Sequence, residues 1–470
     1  MFTRKKSLSA TVIEMEDRAA ADVLGQQPLL RIYTQLCFCF FVDSNYSLRP
    51  YVQYLEAGLE RLYAAFPRLS CQVVNEGLNA SSSGVFRIVD GGNIPRLVVK
   101  DLQHDPSQPT METLQAARLP FSMLDESILA PRRTLPSPQE SESEQPVFMI
   151  QATFIVGGLL LTFLGQHNAM DATGLGQAIS LFSKACRDEP FTAEEIANGN
   201  MCGADINSSI LTGESYPSDA ADEYVIAQSI PPVSTSTSAI AISPNCLWVY
   251  LNFPSTSLTN LKSLAIADLP PDTPFISTDD TITAFIYRSI LRARRARLPP
   301  GTTSTLARAV DVRSHLHIPS TYPGLMQNLI RCTFDLHEAA SWPLGKIAAQ
   351  LRSTLNKRER LADATRALAA KIVNSPDQRS SISFTANMDF SKDVAISSWT
   401  KLRCYEWDFG SELGKAEAVR RPRFDPVESL LYVMPKTLEG EIAVTLCLRE
   451  EDLELMKGDE EVERWAQLIV

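Results

Sequence analysis

The stretch at 158–186, GLLLTFLGQHNAMDATGLGQAISLFSKAC, constrains the fold more than any other part of the chain. A short, continuous apolar run that is bounded by glycines predicts a strand buried on both faces. Beyond it, the apolar positions between Leu175 and Cys186 follow helical spacing, and either Asp171 or Thr173 can cap that helix. We therefore predict a buried strand that leads through a tight polar corner, which carries His167, into a helix.

The same alternation of strand and helix patterns recurs along the 470 residues, which predicts a mixed α/β fold. Strands are expected at 33–42, 68–74, 147–154, 247–253 and 305–316, and helices at 51–67, 256–265 and 279–298. The region around 200–245 is rich in Ser, Thr and Pro and has few large apolar residues in its middle. We interpret 206–242 as a linker between an N-terminal domain, 1–205, and a C-terminal domain, 243–470.

Composition excludes several classes of function. The formal net charge is −11, and the Lys and Arg residues are spread along the chain, so neither nucleic acid nor an anionic membrane is an expected partner. The nine cysteines lie mostly in apolar surroundings, which is typical of reduced core thiols in the cytosol. No signal-peptide pattern and no apolar run of roughly 20 residues are present. We expect a cytoplasmic protein that binds small molecules.

Three further motifs each suggest a function that the rest of the sequence does not support. Gly174 and Gly176 would begin a dinucleotide-binding fingerprint, but Ile179 occupies the position of its third glycine. His315 and His317 have no carboxylate or cysteine at ligand spacing, so we expect no metal site there and interpret both as strand residues on one face. The tripeptide DFG at 408–410 lacks the glycine-rich loop and the catalytic loop of a kinase.

His167 and Asp171 allow two interpretations. A histidine at the end of a strand is often a satisfied polar residue, and a helix cap alone accounts for the aspartate. However, the chain has only five histidines, and this one lies in a glycine-bounded corner between a strand and a helix. Since imidazole titrates near neutral pH, such a histidine is suited to accept a proton from a hydroxyl.

The two motifs together resemble those of a known family. HNAMD at 167–171 fits the H-x-x-x-D motif of the coenzyme A-dependent acyltransferases called BAHD enzymes, and DFGSELGKAEAVRRP at 408–422 resembles their D-F-G-W-G motif. Further segments resemble the fungal branch typified by trichothecene 3-O-acetyltransferases: LPFSMLDESILAPRRTLP, ISTDDTITAFIYRS, VDVRSHLHIPSTYPGLMQN, ISSWTKLRCYEWDFG and FDPVESLLYVMPK. The resemblance implies a two-domain α/β fold similar to chloramphenicol acetyltransferase, with a tunnel between the domains.

The resemblance also implies roles for individual residues around that tunnel. His167 would act as general base on the acceptor hydroxyl, and Asp171 would point away from the site and pair with Arg313 to support the corner. Ser397 would contact the oxyanion. Trp399 would line the acceptor pocket, although a place in the core explains this tryptophan equally well.

More distant residues are implied to have structural or cosubstrate-binding roles. Asp408, Phe409, Gly410 and Gly414 would hold a loop near the coenzyme A channel. Lys262 and Ser255 would contact the phosphates of coenzyme A. The chain departs from the family pattern in three places, which are Ser411 and Glu412, where plant members have Trp and Gly, and Ala172, where many members have Gly.

The expected function is therefore transfer of an acyl group, which we expect to be acetyl from acetyl-CoA, to a hydroxyl of a fungal secondary metabolite such as a sesquiterpenoid. The expected partners are acyl-CoA as cosubstrate and a small hydrophobic alcohol. We expect no permanently bound cofactor and no metal, and we expect the enzyme to be a monomer. Two alternatives stay open. One is N-acylation or condensation-type amide formation, although condensation enzymes typically carry a second histidine where this chain has Gln166. The other is a binding protein that has lost its activity.

Overall fold

The computed structural model describes residues 19–43, 47–79, 82–92, 97–137, 139–140, 144–211, 218–226 and 246–470. The strands are β1 (Tyr33–Phe41), β2 (Gln72–Asn79), β3 (Ser82–Val89), β4 (Leu97–Asp101), β5 (Phe148–Ile155), β6 (Gly158–Gln166), β7 (Cys246–Phe253), β8 (Thr303–Asp311), β9 (Gln327–Asp335), β10 (Val394–Ser398), β11 (Ala418–Arg420), β12 (Leu430–Val433), β13 (Ile442–Arg449) and β14 (Gln467–Ile469).

The α-helices of the described residues lie between these strands and cover their faces. They are α1 (Leu48–Ala65), α2 (Met111–Ala116), α3 (Glu126–Leu129), α4 (Ala172–Cys186), α5 (Ala193–Gly199), α6 (Gly203–Ile210), α7 (Ser255–Ala267), α8 (Thr278–Arg294), α9 (Leu336–Ala339), α10 (Leu344–Leu355), α11 (Arg358–Asn374), α12 (Glu450–Lys457) and α13 (Glu460–Trp465). Apart from these helices, short 3-10 turns connect several elements.

The strands form two large mixed sheets and a hairpin. The first sheet has five strands in the order β11-β1-β6-β5-β4, and the second has seven in the order β14-β7-β13-β12-β10-β8-β9. The hairpin pairs β2 with β3. Parallel pairs, such as β4 with β5 and β10 with β8, occur beside antiparallel ones. The mixed α/β architecture predicted from the sequence is confirmed.

One strand connects the two halves of the chain. β11 comes from the C-terminal part of the sequence, yet it pairs antiparallel with β1 of the first sheet, where Cys37 faces Arg420. Most of the expected linker, 206–242, lies outside the described residues, and its first residues belong to α6. The division of the chain at that linker therefore stays a prediction.

The buried strand and the helix that follow each other at 158–186 are present. β6 is buried along its whole length because it lies between β1 and β5 and is covered on both faces. Gly165 is required in this strand, since a Cβ there would lie 2.7 Å from the sulfur of Met170. Asp171, rather than Thr173, caps α4 by accepting a hydrogen bond from the Gly174 amide at 2.8 Å.

Two strand boundaries differ from the prediction. β8 ends at Asp311, and Arg313–His315 form a 3-10 turn. His317 has a φ of 58°, so the interpretation of the two histidines as strand residues on one face was wrong. The strand stops because the side chain of Arg313 turns inward and reaches the interior, where it is 1% exposed. A 3-10 turn at Pro67–Ser70 also precedes β2.

The remaining sequence expectations concern thiols and membranes. All nine cysteines are free thiols, and all but Cys71 are buried. Among the residues that the structure describes, no helix combines the length and the apolar character that crossing a bilayer requires.

Candidate active site

The corner after β6 fixes the position and the tautomer of His167. Its backbone amide donates to the carbonyl of Ile32 at 2.9 Å, and its Nδ1 lies 3.0 Å from the carbonyl oxygen of Met170. Since a carbonyl oxygen only accepts hydrogen bonds, Nδ1 must carry the hydrogen. The lone pair of the neutral ring therefore resides on Nε2, which is the atom that a general base needs.

Asp171 is fully engaged behind this corner. Its two carboxylate oxygens accept hydrogen bonds from both terminal nitrogens of Arg313 at 2.9 and 3.0 Å, in a bidentate pair. The amides of Met326 and Gly174 also donate to it, each at 2.8 Å. Asp171 thus ties the start of α4 to the loop between β8 and β9, and it is the same Arg313 pair that the resemblance implied.

Arg313 completes this buried ion pair with bonds to its own loop. It donates to the carbonyls of Tyr322 at 2.9 Å and Gly324 at 2.6 Å and pairs with Asp311 at 3.0 Å. Burial opposes the charge, but the carboxylates of Asp171 and Asp311 outweigh it and raise the pKa of Arg313 above its ordinary value. The pair is therefore ionised and held in one geometry.

An N-terminal segment, residues 22–27, holds the corner from the other side. The side-chain amide of Asn168 donates to the carbonyls of Gly25 at 2.6 Å and Gln27 at 3.0 Å. Asp22 in the same segment accepts hydrogen bonds from the Leu325 amide at 2.8 Å and from the Tyr322 hydroxyl. Consequently, the loop that carries His167 is fixed between this segment and the loop between β8 and β9.

His167 faces a cavity of about 630 Å³. Residues of both large sheets contribute to it, and its walls are mainly apolar. The apolar wall includes Leu30, Ile32, Leu329, Phe384, Met388 and Phe390. Cavities of roughly 300–1,000 Å³ with apolar walls and a few polar groups are typical of small-molecule sites.

Ser397 and Trp399 line the same cavity at the end of β10. The indole Nε1 of Trp399 donates to the Ser397 hydroxyl oxygen at 3.1 Å, so the hydroxyl hydrogen is left to donate elsewhere. Trp399 is 3% exposed and packs in the hydrophobic core as well, so it lies both in the core and on the wall of the cavity, and its contact with an acceptor stays a prediction. The structure therefore brings His167, Ser397 and Trp399 together around one space.

Electrostatics favour the neutral imidazole. Burial lowers the pKa of His167 from its ordinary value of 6.5, the Asp171 carboxylate opposes this, and the positive charge of Arg421 adds to the lowering. The Asp171 carboxylate and the Met170 carbonyl favour the protonated ring, but burial outweighs them and the net pKa of His167 is lowered. At neutral pH, His167 is unprotonated and can accept a proton.

Comparison with known proteins decides the family. Residues 125–463 match the Transferase family, and residues 32–186 match the trichothecene 3-O-acetyltransferase-like N-terminal domain. The chain belongs to the Transferase family. It is accordingly an acyltransferase, as the BAHD motifs predicted.

Relatives in this family are fungal O-acetyltransferases. The chain is 46% identical over 450 residues to an O-acetyltransferase of Cryptosporiopsis sp., covering 95% of this chain and 97% of the relative. It is 42% identical over 451 residues to trichothecene 3-O-acetyltransferase of Fusarium sporotrichioides, covering 95% and 96% of the two chains. The crystal structure of that organism's TRI101 complexed with coenzyme A and T-2 aligns with a TM-score of 0.86 at 40% identity, over 96% of this chain and 99% of the other.

The fold also extends to distant members. The crystal structure of vinorine synthase aligns with a TM-score of 0.64 at 16% identity, covering 96% of this chain and 93% of that one, which shows a shared fold. The two-domain acyltransferase fold that the resemblance implied is thereby confirmed.

The DFG loop of this transferase lies away from the cavity. The ring of Phe409 packs against those of Phe38 and Phe40, with ring centroids 5.7 and 5.3 Å apart, and its carbonyl accepts a hydrogen bond from the Tyr54 hydroxyl at 2.8 Å. Asp408 accepts a hydrogen bond from the Gly410 amide at 2.8 Å. Gly410 and Gly414 have φ values of 89° and 64°, which favour glycine. None of the four lines the cavity.

Ser255 and Lys262 also lie outside the cavity of the transferase. Ser255 is the first residue of α7, and Lys262 lies further along that helix. The Lys262 ammonium is 5.5 Å from the centroid of the Phe275 ring, and the Arg352 guanidinium is 5.3 Å from the same centroid. Phe275 is 55% exposed, so an aromatic face between two cations is presented at the surface.

Sequence reasoning missed several residues of the site. Arg421 and Tyr432 line the cavity, and so does the loop at 383–391. The only available signal for Arg421 was the VRRP that ends the DFG segment, where two adjacent arginines precede a proline. The loop at 383–391 has no periodic pattern, so nothing in the sequence marks it as a wall of the cavity.

Proposed function

We propose that this chain is an acetyl-CoA-dependent O-acetyltransferase that esterifies a hydroxyl of a fungal secondary metabolite, with a trichothecene-like sesquiterpenoid as the favoured acceptor class. The observation that carries the proposal is the tautomer of His167, whose Nδ1 is committed to Met170 while Nε2 is available in an apolar cavity. The printed names of the relatives, which are O-acetyltransferases, support the reaction type.

The acyl group would pass directly from coenzyme A to the acceptor, without an acyl-enzyme intermediate. Nε2 of His167 accepts the proton of the acceptor hydroxyl as its oxygen attacks the thioester carbonyl carbon. The tetrahedral intermediate that forms carries a negative oxygen, and we propose that the Ser397 hydroxyl, whose hydrogen is not used in its contact with Trp399, stabilises this oxygen. When the intermediate collapses, the carbon–sulfur bond breaks, and the thiolate of coenzyme A receives the proton from His167. General base catalysis of this kind contributes about 10²–10⁴-fold.

Asp171 and Arg313 are proposed to act only as support. Their buried ion pair faces the loop between β8 and β9, and the carboxylate has no free oxygen for substrate. Their function in this mechanism is to hold the corner so that Nε2 keeps its position relative to the acceptor hydroxyl.

The cavity supports a compact, mostly apolar acceptor. Its volume of about 630 Å³ is ample for a polycyclic terpenoid alcohol together with an acetyl group. Ser383, Thr385 and Gln327 add polar groups to the apolar wall, which suits a molecule that carries several oxygen atoms. TRI101 crystallised with coenzyme A and T-2 is consistent with acceptors of this class.

We propose that coenzyme A approaches from the side of α7. Ser398, next to Ser397, bonds to Asp279, and Asp279 pairs with Arg308 at 2.8 Å. Arg308 also pairs with Asp280, which binds Arg352 in turn. Arg352 and Lys262 both lie near the ring of Phe275. The exposed ring between two cations has the chemistry that an adenine and its phosphates require. Lys262→Ala should raise KM for acetyl-CoA several-fold with little change in kcat.

Three further features complete the proposal. The enzyme is proposed to act as a monomer, because both large sheets of one chain supply residues to the cavity and the proposed mechanism needs no residue of a second chain. Its free thiols support a reducing compartment such as the cytosol. We also propose that the chain divides into its two domains at the linker 206–242.

The decisive test is acyl transfer by purified protein. Acetyl-CoA is supplied with a panel of trichothecene and other terpenoid alcohols, thiol release is followed, and the ester is identified by mass spectrometry. The expected result is alcohol-dependent release that His167→Ala abolishes. His104→Ala is the matched control, since that histidine is exposed and lies outside the cavity. Equal activity of the two variants would refute the mechanism, and no ester from any alcohol would refute the acceptor class.

A further inference from the structure

Arg421 is a buried cation that no carboxylate neutralises directly. It is 1% exposed and lines the cavity together with His167. Its Nη2 donates a long hydrogen bond of 3.5 Å to Thr134 Oγ1, and its buried Nε has no hydrogen-bond partner among the described residues. Because burying an unpaired charge is costly, such a residue calls for a functional explanation.

An aromatic cage stabilises the charge in place. The guanidinium carbon lies 4.4 Å from the centroid of the Tyr432 ring, 4.5 Å from that of Phe424 and 5.5 Å from that of Trp399. Cation–π contacts of this kind offset part of the cost of burial without cancelling the charge. The backbone is held too, since the Arg421 amide donates to the Tyr250 hydroxyl at 3.2 Å. The positive charge therefore stays at one position on the wall of the cavity.

The charges around His167 leave Arg421 as the dominant cation on the cavity side. On the corner itself, Asp171 is paired with Arg313, and its carboxylate still acts against the lowering of the His167 pKa. From β1, Tyr33 is uncharged at neutral pH because burial raises its pKa. From β12 and β13 come Tyr432, which burial also keeps protonated by raising its pKa, and Arg449, which is paired with Glu428 at 2.6 Å.

Two carboxyl groups complete the surroundings of the cavity. Glu126 of α3 accepts hydrogen bonds from Gln35 and from the Thr134 amide, and burial raises its pKa to about 7, so it compensates Arg421 only in part. Asp389 lines the wall in the loop at 383–391. Its amide donates a hydrogen bond to the Asp393 carboxylate at 2.9 Å, and its own Oδ1 accepts hydrogen bonds from the amide and the hydroxyl of Ser391 at 3.1 and 2.6 Å. The field of Arg421 at the imidazole is therefore only partly opposed.

A fixed positive charge on the wall of a mainly apolar cavity disfavours a second positive charge and favours a negative one. On the basis of the proposed function, we propose that Arg421 is an electrostatic positioning residue, which holds His167 as the neutral base and stabilises the negative oxygen of the tetrahedral intermediate. Arg421 thus acts through its charge on two groups, the imidazole of His167 and the former carbonyl oxygen of the thioester. Its role differs from that of Ser397, which acts through one directed hydrogen bond.

The test is the titration of His167, followed by NMR on labelled protein and assigned with His167→Gln. Arg421→Met removes the charge, and Arg421→Lys keeps it. Arg420→Met is the matched control, because Arg420 is the adjacent residue, stacks on Tyr250 at 5.4 Å, and lies outside the cavity. We expect the midpoint of His167 to rise by a few tenths of a pH unit in Arg421→Met and to stay close to that of the original protein in the other two.

Kinetics give the second readout. In Arg421→Met, the acid limb of kcat/KM should move to higher pH, and the plateau should fall about 10²-fold as the intermediate loses its stabilising charge. Arg421→Lys should recover most of the loss. A purely structural arginine would leave the NMR midpoint unchanged in folded Arg421→Met, and that result would overturn the proposal.

Two precautions keep the outcomes separate. If Arg421→Met does not fold, Arg421→Gln removes the charge while keeping a donor toward Thr134, and its titration decides in the same way. The NMR titration needs no acyl acceptor, so absence of O-acetyltransferase activity would refute the proposed function while leaving the electrostatic proposal to its own measurement.

Discussion

Nδ1 of His167 lies 3.0 Å from the carbonyl oxygen of Met170, three residues further along the same corner. This contact assigns the hydrogen to Nδ1 and the lone pair to Nε2, and it needs no carboxylate partner for the imidazole. Asp171, which could have played that part, faces the other way and binds Arg313. The base is thus oriented by the backbone of its own loop, and the aspartate orients the loop.

Replacing His167 by alanine should nearly abolish acyl transfer. The loss expected for a general base is about 10²–10⁴-fold in kcat/KM, with the fold preserved because the ring lies at the edge of the cavity. Circular dichroism and thermal unfolding should match those of the unmodified chain. A residual activity within a few-fold of the original enzyme would exclude His167 as the base.

Breaking the buried ion pair between Asp171 and Arg313 should lower the free energy of unfolding by more than the loss of a surface contact would. Asp171→Asn leaves the buried Arg313 without its bidentate partner, and removal of one member of a buried pair typically costs about 3–5 kcal/mol. Urea unfolding measures the loss. Asp171→Leu combined with Arg313→Met should be less destabilised than the sum of the two single variants, and simple additivity would show that the pair does not couple.

The pH dependence follows from the environment of His167. Because burial and Arg421 lower the pKa of His167 below 6.5, the acid limb of kcat/KM should fall below pH 6.5. The free energy of unfolding should change with pH in the same direction as kcat/KM. Below pH 6.5 the unfolded chain binds a proton that the folded imidazole does not, so this contribution to stability decreases as the pH falls. A kinetic midpoint above 6.5 would contradict the arrangement, and pH-rate profiles with saturating acetyl-CoA provide the measurement.

Gly174 should tolerate no side chain. A Cβ at this position in the first turn of α4 would lie 1.9 Å from the carbonyl oxygen of Pro323, a backbone atom that cannot move independently. Gly174→Ala should therefore destabilise the protein by about 1–3 kcal/mol and lower kcat. In the control Gly176→Ala, the contact would be 2.7 Å to a methyl of Leu402, a side chain that can rotate. Equal effects of the two changes in thermal unfolding would contradict this explanation.

The amount that could be predicted from the sequence depended on whether a feature is local. β6, α4 and the corner between them were predictable because a buried strand and an amphipathic helix each leave their own periodicity, and Asp171 lies at the N-cap position that the pattern requires. The partner of Asp171 came only from the resemblance, since Arg313 is far away in the chain. The end of β8 was mispredicted because the buried contact of Arg313, and no local pattern, stops the strand.

Features that depend on how distant parts of the chain pair and pack left no pattern in the sequence. The three residues of β11 are too short to show alternation, so their pairing with β1 could not be inferred. The same strand carries the chain to Arg421, whose place on the cavity wall depends on that pairing. The loop at 383–391 likewise becomes a wall only when β9, β10 and the N-terminal segment meet.

β11 has a consequence for how molecules reach His167. The strand belongs to the later part of the chain but shares a ladder of backbone hydrogen bonds with β1, so the two sheets cannot part like the halves of a clamshell unless that ladder breaks. Alcohol and thioester must therefore thread into a channel whose walls stay joined. We therefore expect the turnover of bulky acceptors to depend on passage through that channel and not on a hinge between the sheets.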